Sequence, residues 1–230
     1  MQAFILAAGK GTRLGKLTKK NPKSLIKVAG KPIIEYTLSS FPDKIKRIHI
    51  IIGHEGNKIK AHIGEKHGQI DINYIWQKRL RGTGAILKLI KPFVKDRVLI
   101  LNGDDIYSKK ELEKLIKHSY AIGLAKKIPE HGKYLSIKTD KNKNIKGAAY
   151  PSKQEMKRGA FLATGAYVLT PEIFKYQPVR LFNGEYGLPQ TILKMAKKVK
   201  TKGIIMKKWI QINTPKDIKK AATLLSELRS

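Results

Sequence analysis

The chemistry of a polyanion cradle stands at the start of the chain, in Leu6-Ala7-Ala8-Gly9-Lys10-Gly11-Thr12-Arg13-Leu14 and then Asn21-Pro22-Lys23-Ser24-Leu25. An apolar run from Ala3 to Ala8, of strand length, breaks into a loop carrying Gly9, Gly11 and Gly15 with Lys10, Arg13, Lys16 and Lys23 but no acid. Glycines let backbone N–H groups approach phosphate oxygens, a guanidinium can clamp two oxygens at once, and a lysine adds a mobile point charge. A triphosphate suits that set. The two common phosphate loops are both disfavoured. The Gly-Lys-Ser/Thr ending of a P-loop is missing, and Leu14 stands where a dinucleotide fingerprint has its third glycine.

Two further stretches carry polar groups at informative places. Gln77 precedes Gly82-Thr83-Gly84-Ala85; glutamine can both donate to and accept from the edge of a pyrimidine, and a Gly-Thr-Gly turn exposes backbone beside a flat ring. In isolation the same residues describe a surface glutamine before an ordinary turn. Asn102-Gly103-Asp104-Asp105 follows the apolar run 98–101, at the end of a strand where open α/β sheets place ligands. Mg²⁺ takes hard oxygen ligands and often only one or two from protein, so a single aspartate there can suffice, although Asn-Gly-Asp-Asp also reads as a turn. His49, His54, His62, His67, His118 and His131 offer no metal spacing: the pair His62 and His67 is five apart, wrong for one helical face. No serine or histidine triad is visible either.

Taken as one string, Gly9-x-Gly11-Thr12-Arg13-Leu14, Leu17-Thr18, Pro22-Lys23-x-Leu25 and Gly30-Lys31-Pro32 resembles the signature of the sugar-1-phosphate nucleotidyltransferases, or NDP-sugar pyrophosphorylases. The uridyltransferases that make UDP-N-acetylglucosamine are the most similar in motif. The resemblance implies a catalytic Arg13 and Lys23 and nucleotide contacts from Leu6, Ala8, Gly9, Gly11 and Thr12. Gln-x-x-x-x-Gly-Thr-Gly-x-Ala resembles the family's base-reading segment and adds Gln77, Gly82 and Thr83. It implies Mg²⁺ as cofactor, with Asp104 rather than Asp105 as one ligand. Gly184-Glu185-Tyr186 and Thr164-Gly165 resemble the acceptor-side segments, implying acceptor contacts from Gly147, Thr164, Gly165 and Glu185.

The departures are specific. Lys16 stands where many members have proline. Many relatives carry Trp-x-Asp-x-Gly-Thr-Pro near the C-terminus, with the aspartate on the metal; this chain reads Trp209-Ile210-Gln211-Ile212-Asn213-Thr214-Pro215. The hexosamine uridyltransferases use asparagine in that region, which makes Asn213 the expected second ligand and Gln211 the alternative. Phe161 and Ala163 replace a glutamate and an asparagine of the hexosamine enzymes, and Tyr150-Pro151-Ser152 replaces a common Glu-Lys-Pro. Losing hydroxyl-binding groups removes the discrimination they provide, so the acceptor sugar stays open.

The elements needed to hold these residues can be read from periodicity. Apolar or alternating strands are expected over 47–52, 70–76, 98–101, 120–125, 135–139, 145–150, 161–169 and 203–206, with helices over 32–38, 56–66, 84–91, 109–118, 188–198 and 215–228. Thr214 is placed as N-cap and Pro215 as the first helical residue. The alternation predicts an α/β fold, a Rossmann-like, mostly parallel mixed sheet with helices on both faces, of the nucleotide-diphospho-sugar transferase type. One domain over 1–230 is expected, with 1–118 as the nucleotide-binding half and 119–230 as the acceptor-binding half and C-terminal helices.

Composition bounds the rest. With 41% hydrophobic residues in 230, the chain can bury one good core, and with no cysteine it has neither disulfides nor thiolate chemistry. No apolar run is long enough to span a bilayer and the N-terminus opens into a strand, so a cytoplasmic protein with no membrane partner is expected. A formal net charge of +31 would attract any polyanion. However, the lysines are scattered among apolar residues and not interleaved with aromatics, which argues against dedicated nucleic-acid binding. The expected function is transfer of UMP from UTP to a sugar 1-phosphate with release of pyrophosphate, with dTTP or CTP open as donors. A catalytically impaired nucleotide- or sugar-nucleotide-binding relative is the second reading, and a basic nucleic-acid-binding protein the third.

Overall fold

The computed structural model describes residues 1–128 and 135–227, so His131 and Leu228 lie outside the described residues. The chain forms two compact units that interleave along the sequence: Met1–Leu80, Leu101–Leu112 and Lys208–Ser230 make one, Arg81–Ile100 and Glu113–Lys207 the other.

In the first unit, Gln2–Ala7, Arg47–Ile52 and Ile70–Trp76 run parallel, with Gln2 opposite Arg47 and Ile52 opposite Trp76. The first two strands are near-continuous apolar runs because parallel strands are covered on both faces: Ala3, Phe4, Ile5, Ile48 and Ile50 to Ile52 are fully buried. Ile70–Trp76 alternates instead, and the two-residue strand Lys66–His67 closes its side antiparallel. The helix Gly56–Ile63 stops short of the expected residue 66. Gly64 turns the backbone to φ 73° and its N–H caps Lys60. The helix Ile33–Ser39 begins one residue late because Pro32 is extended, in a two-residue ribbon of Lys31–Pro32 against Lys27–Val28.

An apolar cluster in this unit collects Val28, Ile33, Ile106, Ile212 and Ala221, with Ile26, Tyr36, Ile210, Ile218, Ala222 and Leu225 packed around it. Ile218, Ala221, Ala222 and Leu225 recur at helical spacing, so one stripe of the helix Pro215–Glu227 faces the cluster. That docking brings the residue just after Ile212 and the residues just before Ile106 to one place.

In the second unit, Ala121–Lys127 lies between Lys202–Ile205, parallel to it, and Ala160–Leu169, antiparallel to it. The sheet is therefore mixed and mostly parallel, as the alternation predicts. The antiparallel pair shifts register between Ala163 and Tyr167, where Gly165 takes φ 74°. The hairpin Ser136–Thr139 and Ile145–Ala149 follows. No helix among the described residues is long and apolar enough to cross a membrane.

One helix was not foreseen. Lys153–Arg158 is set off by a capping box in which Ser152 Oγ accepts from Glu155 N–H and the Glu155 carboxylate takes the Ser152 N–H. The same carboxylate accepts from Ser136 Oγ at 2.5 Å and Lys138 Nζ at 2.7 Å, tying this helix to the hairpin. Those bonds, that of Lys138 foremost, hold the Glu155 carboxyl down at about 2. A depressed carboxylate stabilises the fold above its unfolded value of about 4.5, and that contribution is lost as pH falls toward 2. Glu155→Ala should cost about 0.5–2 kcal/mol at pH 7, the range for a lost cap, and Glu155→Gln less. Thermal melts from pH 7 to pH 2.5 should show the wild-type advantage shrinking below pH 4.5; a gap that does not change with pH would remove the ion pair from the account.

Candidate active site

The glycine loop is built by local hydrogen bonds. Thr12–Thr18 winds as a 3-10 helix broken at Gly15, Leu14 is buried beneath it, and Leu14 N–H returns to the Gly11 carbonyl at 3.0 Å. Thr18 Oγ donates to the carbonyls of Gly11 and Gly15, stapling the loop shut. Gly9, Thr12 and Arg13 are left exposed, as a phosphate-facing rim requires. Gly11 sits at φ 63°, and a Cβ there would lie 2.8 Å from Lys23 Cβ. Only glycine lets the Lys23 stem lie this close to the loop.

Lys23 heads the short turn Lys23–Leu25 and is 8% exposed. Its ammonium donates to Asp104 Oδ2 at 2.7 Å and to Asn213 Oδ1 at 3.3 Å. A buried lysine needs such partners, because an unpaired charge out of water is costly. Asp104 is set by its neighbour: Gly103 N–H donates to the Leu6 carbonyl at 2.9 Å, and a Cβ on Gly103 would collide with Ile5. The Asp104 side chain keeps 36% exposure, whereas Asp105 is 3% exposed.

Asn213 is held from behind. Asp217 Oδ2 accepts from the Asn213 N–H at 2.9 Å, the Thr214 N–H at 2.7 Å and the Thr214 hydroxyl at 3.0 Å. This cap at the start of Pro215–Glu227 fixes the loop that presents the Asn213 amide. Gln211 lies two residues back, opposite Asp105 in the ribbon of Ile210–Gln211 against Asp105–Ile106. The oxygen that meets Lys23 is that of Asn213.

Among the described residues no three His, Cys, Asp or Glu side chains form a metal cluster. Asp104 and Asn213 nevertheless fit the sparse oxygen set that suffices for Mg²⁺, and the Lys23 ammonium seated on both of their oxygens shows that the position favours a cation.

Gln77 is 7% exposed at the end of Ile70–Trp76, its N–H donating to the Ile52 carbonyl. Gly53 makes room beside it: a Cβ there would press on Ala8 at 3.0 Å and on the Gln77 carbonyl at 3.3 Å. Ala8 and Gln77 are thus brought close through Gly53. In the second unit, Gly82 and Thr83 join the Gly-Glu-Tyr segment. Tyr186 N–H donates to the Arg81 carbonyl, Leu188 N–H donates to Thr83 Oγ at 3.2 Å, and a Cβ on Gly82 would meet Glu185 Cβ at 2.8 Å. Glu185 itself is exposed and accepts from Asn183 Nδ2. Gly147 sits half-buried in the hairpin. Thr164 is 0% exposed, its hydroxyl donating to Met206 Sδ, and Gly165 beside it forms the irregularity in the strand. The Thr164 hydroxyl is therefore spent inside the protein.

Three further residues shape the site without a role assigned to them from the sequence. Thr18 staples the loop, and Asp217 anchors Asn213. Asp105 lies under Asp104, its backbone carbonyl taking the Thr37 hydroxyl. For Asp217 the signal was present, since Thr214-x-x-Asp217 has the spacing of a cap.

Burial, then the neighbouring Asp104 charge, pushes the Asp105 carboxyl up to about 8, against the opposing pull of Lys23 and a hydrogen bond from the Trp209 side chain. A carboxyl raised in the folded state contributes stability below its unfolded value of 3.8 that is lost as pH rises toward about 8. Asp105→Asn removes that loss. Its melting temperature should pull ahead of wild type progressively from pH 5 to 8 and then hold a constant lead; a difference that does not vary with pH would contradict the buried-acid assignment.

A family model described as nucleotidyl transferase matches residues 2–227. The bifunctional protein GlmU of Methanococcus maripaludis (strain C5) is 32% identical across 95% of this chain and 53% of its own length, so the chain spans about half the length of that relative. A D-glycero-alpha-D-manno-heptose 1-phosphate guanylyltransferase of Campylobacter jejuni (serotype O:2) is 28% identical across 94% of this chain and 96% of its own. The solved structure of a UDP-glucose pyrophosphorylase complexed with UDP-glucose superposes with a TM-score of 0.81, covering 99% of this chain and 98% of that one; at 18% identity it speaks to the fold. A glycine loop after the first strand, a cation-holding aspartate after a later one and a family match over nearly every residue converge, and the chain belongs to the sugar-1-phosphate nucleotidyltransferase family.

Proposed function

We propose that the protein transfers UMP from UTP to a sugar 1-phosphate and releases pyrophosphate. The observation that carries this reading is the cation position formed by Asp104 and Asn213, filled by the Lys23 ammonium beside the glycine loop. A phosphate oxygen of the acceptor attacks the α-phosphorus, the bond from that phosphorus to the β-phosphate bridging oxygen breaks, and pyrophosphate leaves with that electron pair. No covalent enzyme intermediate is required. The protein's work is to align two polyanions and to offset charge on the reacting phosphoryl group.

Each residue has a distinct part in this scheme. Backbone N–H groups of Gly9 to Gly11 receive the triphosphate, with Ala8 and Thr12 among the nucleotide contacts, while Leu6 and Gly9 are assigned to the uracil. Exposed Arg13 clamps the β- and γ-phosphates, a bidentate task suited to its planar fork. Lys23 neutralises the α-phosphate and the incoming phosphate. Asp104 and Asn213 hold Mg²⁺, which when bound supplies positive charge to the phosphate oxygens. Gln77, Gly82 and Thr83 are assigned to the base, and Gly147, Thr164, Gly165 and Glu185 to the acceptor side; for Thr164 backbone is the part available, since its hydroxyl is engaged with Met206. Relatives are named for different bases, guanylyl in the heptose 1-phosphate enzyme and uridylyl in a glucose-1-phosphate enzyme of Haloferax volcanii. The choice of UTP therefore rests on Gln77 and the segment around it. A chain without cysteine suits the reducing cytoplasm, where we place it.

Pyrophosphate release measured over a panel of nucleoside triphosphates and sugar 1-phosphates tests the reading. UTP with at least one sugar 1-phosphate should turn over, and binding without turnover across the panel would favour the impaired relative. Arg13→Ala and Lys23→Ala should each lower turnover by about 10²–10³, roughly 2.7–4 kcal/mol, the cost of one preorganised donor. If either retains more than about a third of wild-type activity, its assignment is wrong.

Gln77→Ala tests the base separately. A buried base edge that loses a paired donor and acceptor forfeits about 1–3 kcal/mol of discrimination. The activity ratio of UTP to CTP should narrow while turnover survives; an unchanged ratio rules Gln77 out as base reader.

A further inference from the structure

Lys23 has been given a role toward phosphate, yet its ammonium is engaged elsewhere. It sits on the two oxygens, Asp104 Oδ2 and Asn213 Oδ1, that form the metal position. We propose that Lys23 is an exchangeable counter-cation: its ammonium and a divalent metal ion compete for the Asp104 and Asn213 oxygens, so metal enters together with phosphate. This rests on the reading of Asp104 as the metal ligand.

Three observations carry it. The first is geometric: the ammonium is bonded to Asp104 Oδ2 at 2.7 Å and to Asn213 Oδ1 at 3.3 Å, so a metal ligated by both of those oxygens at about 2.1 Å would have to take its place. The second is burial: at 8% exposed, a Lys23 displaced by metal loses its ion-pair partners without gaining full hydration, so an anion on the loop would stabilise the displaced ammonium. The third is the course of its stem, which lies against Gly11, with the Lys23 Cβ 2.8 Å and its Cδ 3.4 Å from the place of a Gly11 Cβ. An unbranched four-carbon stem anchored there, with rotatable donors at its end, can turn from Asp104 toward phosphate on the glycine loop by side-chain rotation alone. Metal without phosphate therefore meets a competing cation, and phosphate relieves the competition by taking the lysine.

The test reads metal binding and side-chain reactivity, not turnover. Mn²⁺ alone is titrated into nucleotide-free protein, with free Mn²⁺ followed by electron paramagnetic resonance, for wild type, Lys23→Gln, Arg13→Gln and Asp104→Asn. Lys23→Gln should bind Mn²⁺ about tenfold more tightly than wild type, equivalent to ~1.4 kcal/mol and near what a hydrogen bond to a charged group contributes. Arg13→Gln, which removes the same charge from the exposed rim, should shift affinity by no more than about threefold, because its field is screened by solvent. Asp104→Asn should weaken binding. If Asp104→Asn binds as wild type does, the metal-site reading fails. If Asp104→Asn weakens binding but Lys23→Gln does not tighten it, or Arg13→Gln tightens it equally, only the exchange fails.

Unmodified protein gives a second measure that needs no variant. Acetic anhydride labelling, read peptide by peptide by mass spectrometry, should accelerate severalfold at Lys23 on adding Mn²⁺ while the exposed lysines keep their rates. An unchanged Lys23 rate at saturating Mn²⁺ overturns the proposal.

Discussion

The site depends on one ion pair. Lys23 and Asp104 are drawn from distant parts of the chain and meet at 2.7 Å, the lysine buried and the aspartate partly open to solvent. Removing either partner would leave an uncompensated charge, so each fixes the other. The rest of the first unit makes the meeting possible: Gly11 clears the path of the lysine stem, Gly103 lets the Asp104 loop bond to Leu6, and Asp217 holds the backbone of Asn213. Neither Gly103 nor Asp217 touches phosphate in the proposed scheme, but each sets where a group that does will lie.

Beneath this polar layer, packing supplies rigidity. Val28, Ile33, Ile106 and Ala221 come from four separate elements, Ile212 from the loop before the last helix, and all five are buried together. Ile106 and Ile212 are each one or two residues from a site group, so burying them fixes the loops on which Asp104 and Asn213 ride. Asp105 carries the cost. Burial in this core, then the neighbouring Asp104 charge, raises the Asp105 carboxyl, while the Asp104 side chain keeps its exposure and meets Lys23, and the two adjacent aspartates thereby take different parts.

The second unit is organised around close backbone approach. The Gly-Thr-Gly turn lies against Glu185, Tyr186 and Gly187, and Thr83 accepts the N–H of Leu188 at the start of Leu188–Ala196. Two motifs that read as separate sites, one for a base and one for an acceptor, form one structural joint. A side chain at Gly82 or Gly84 would force it open, which accounts for glycine at both positions.

By itself the sequence determined the fold class, because the period of a buried strand and the turn residues that end it are local properties: Arg47–Ile52 and Ile70–Trp76 have the bounds their patterns predict. It also determined the family, through a glycine loop and its flanking Lys-x-Leu, and the start of the last helix at Thr214 and Pro215. Tertiary structure alone decided which aspartate meets the lysine, that the Asn213 oxygen and not that of Gln211 joins them, and that the Thr164 hydroxyl is consumed by Met206. It also decided how the helix after Ser152 is secured: Ser152-x-x-Glu155 is a local cap pattern, but a six-residue helix is too short to stand on propensity and is held by Glu155 reaching Lys138 and Ser136 of the hairpin. These are contacts between residues far apart in the chain, set by which faces pack, and no local pattern encodes the partner.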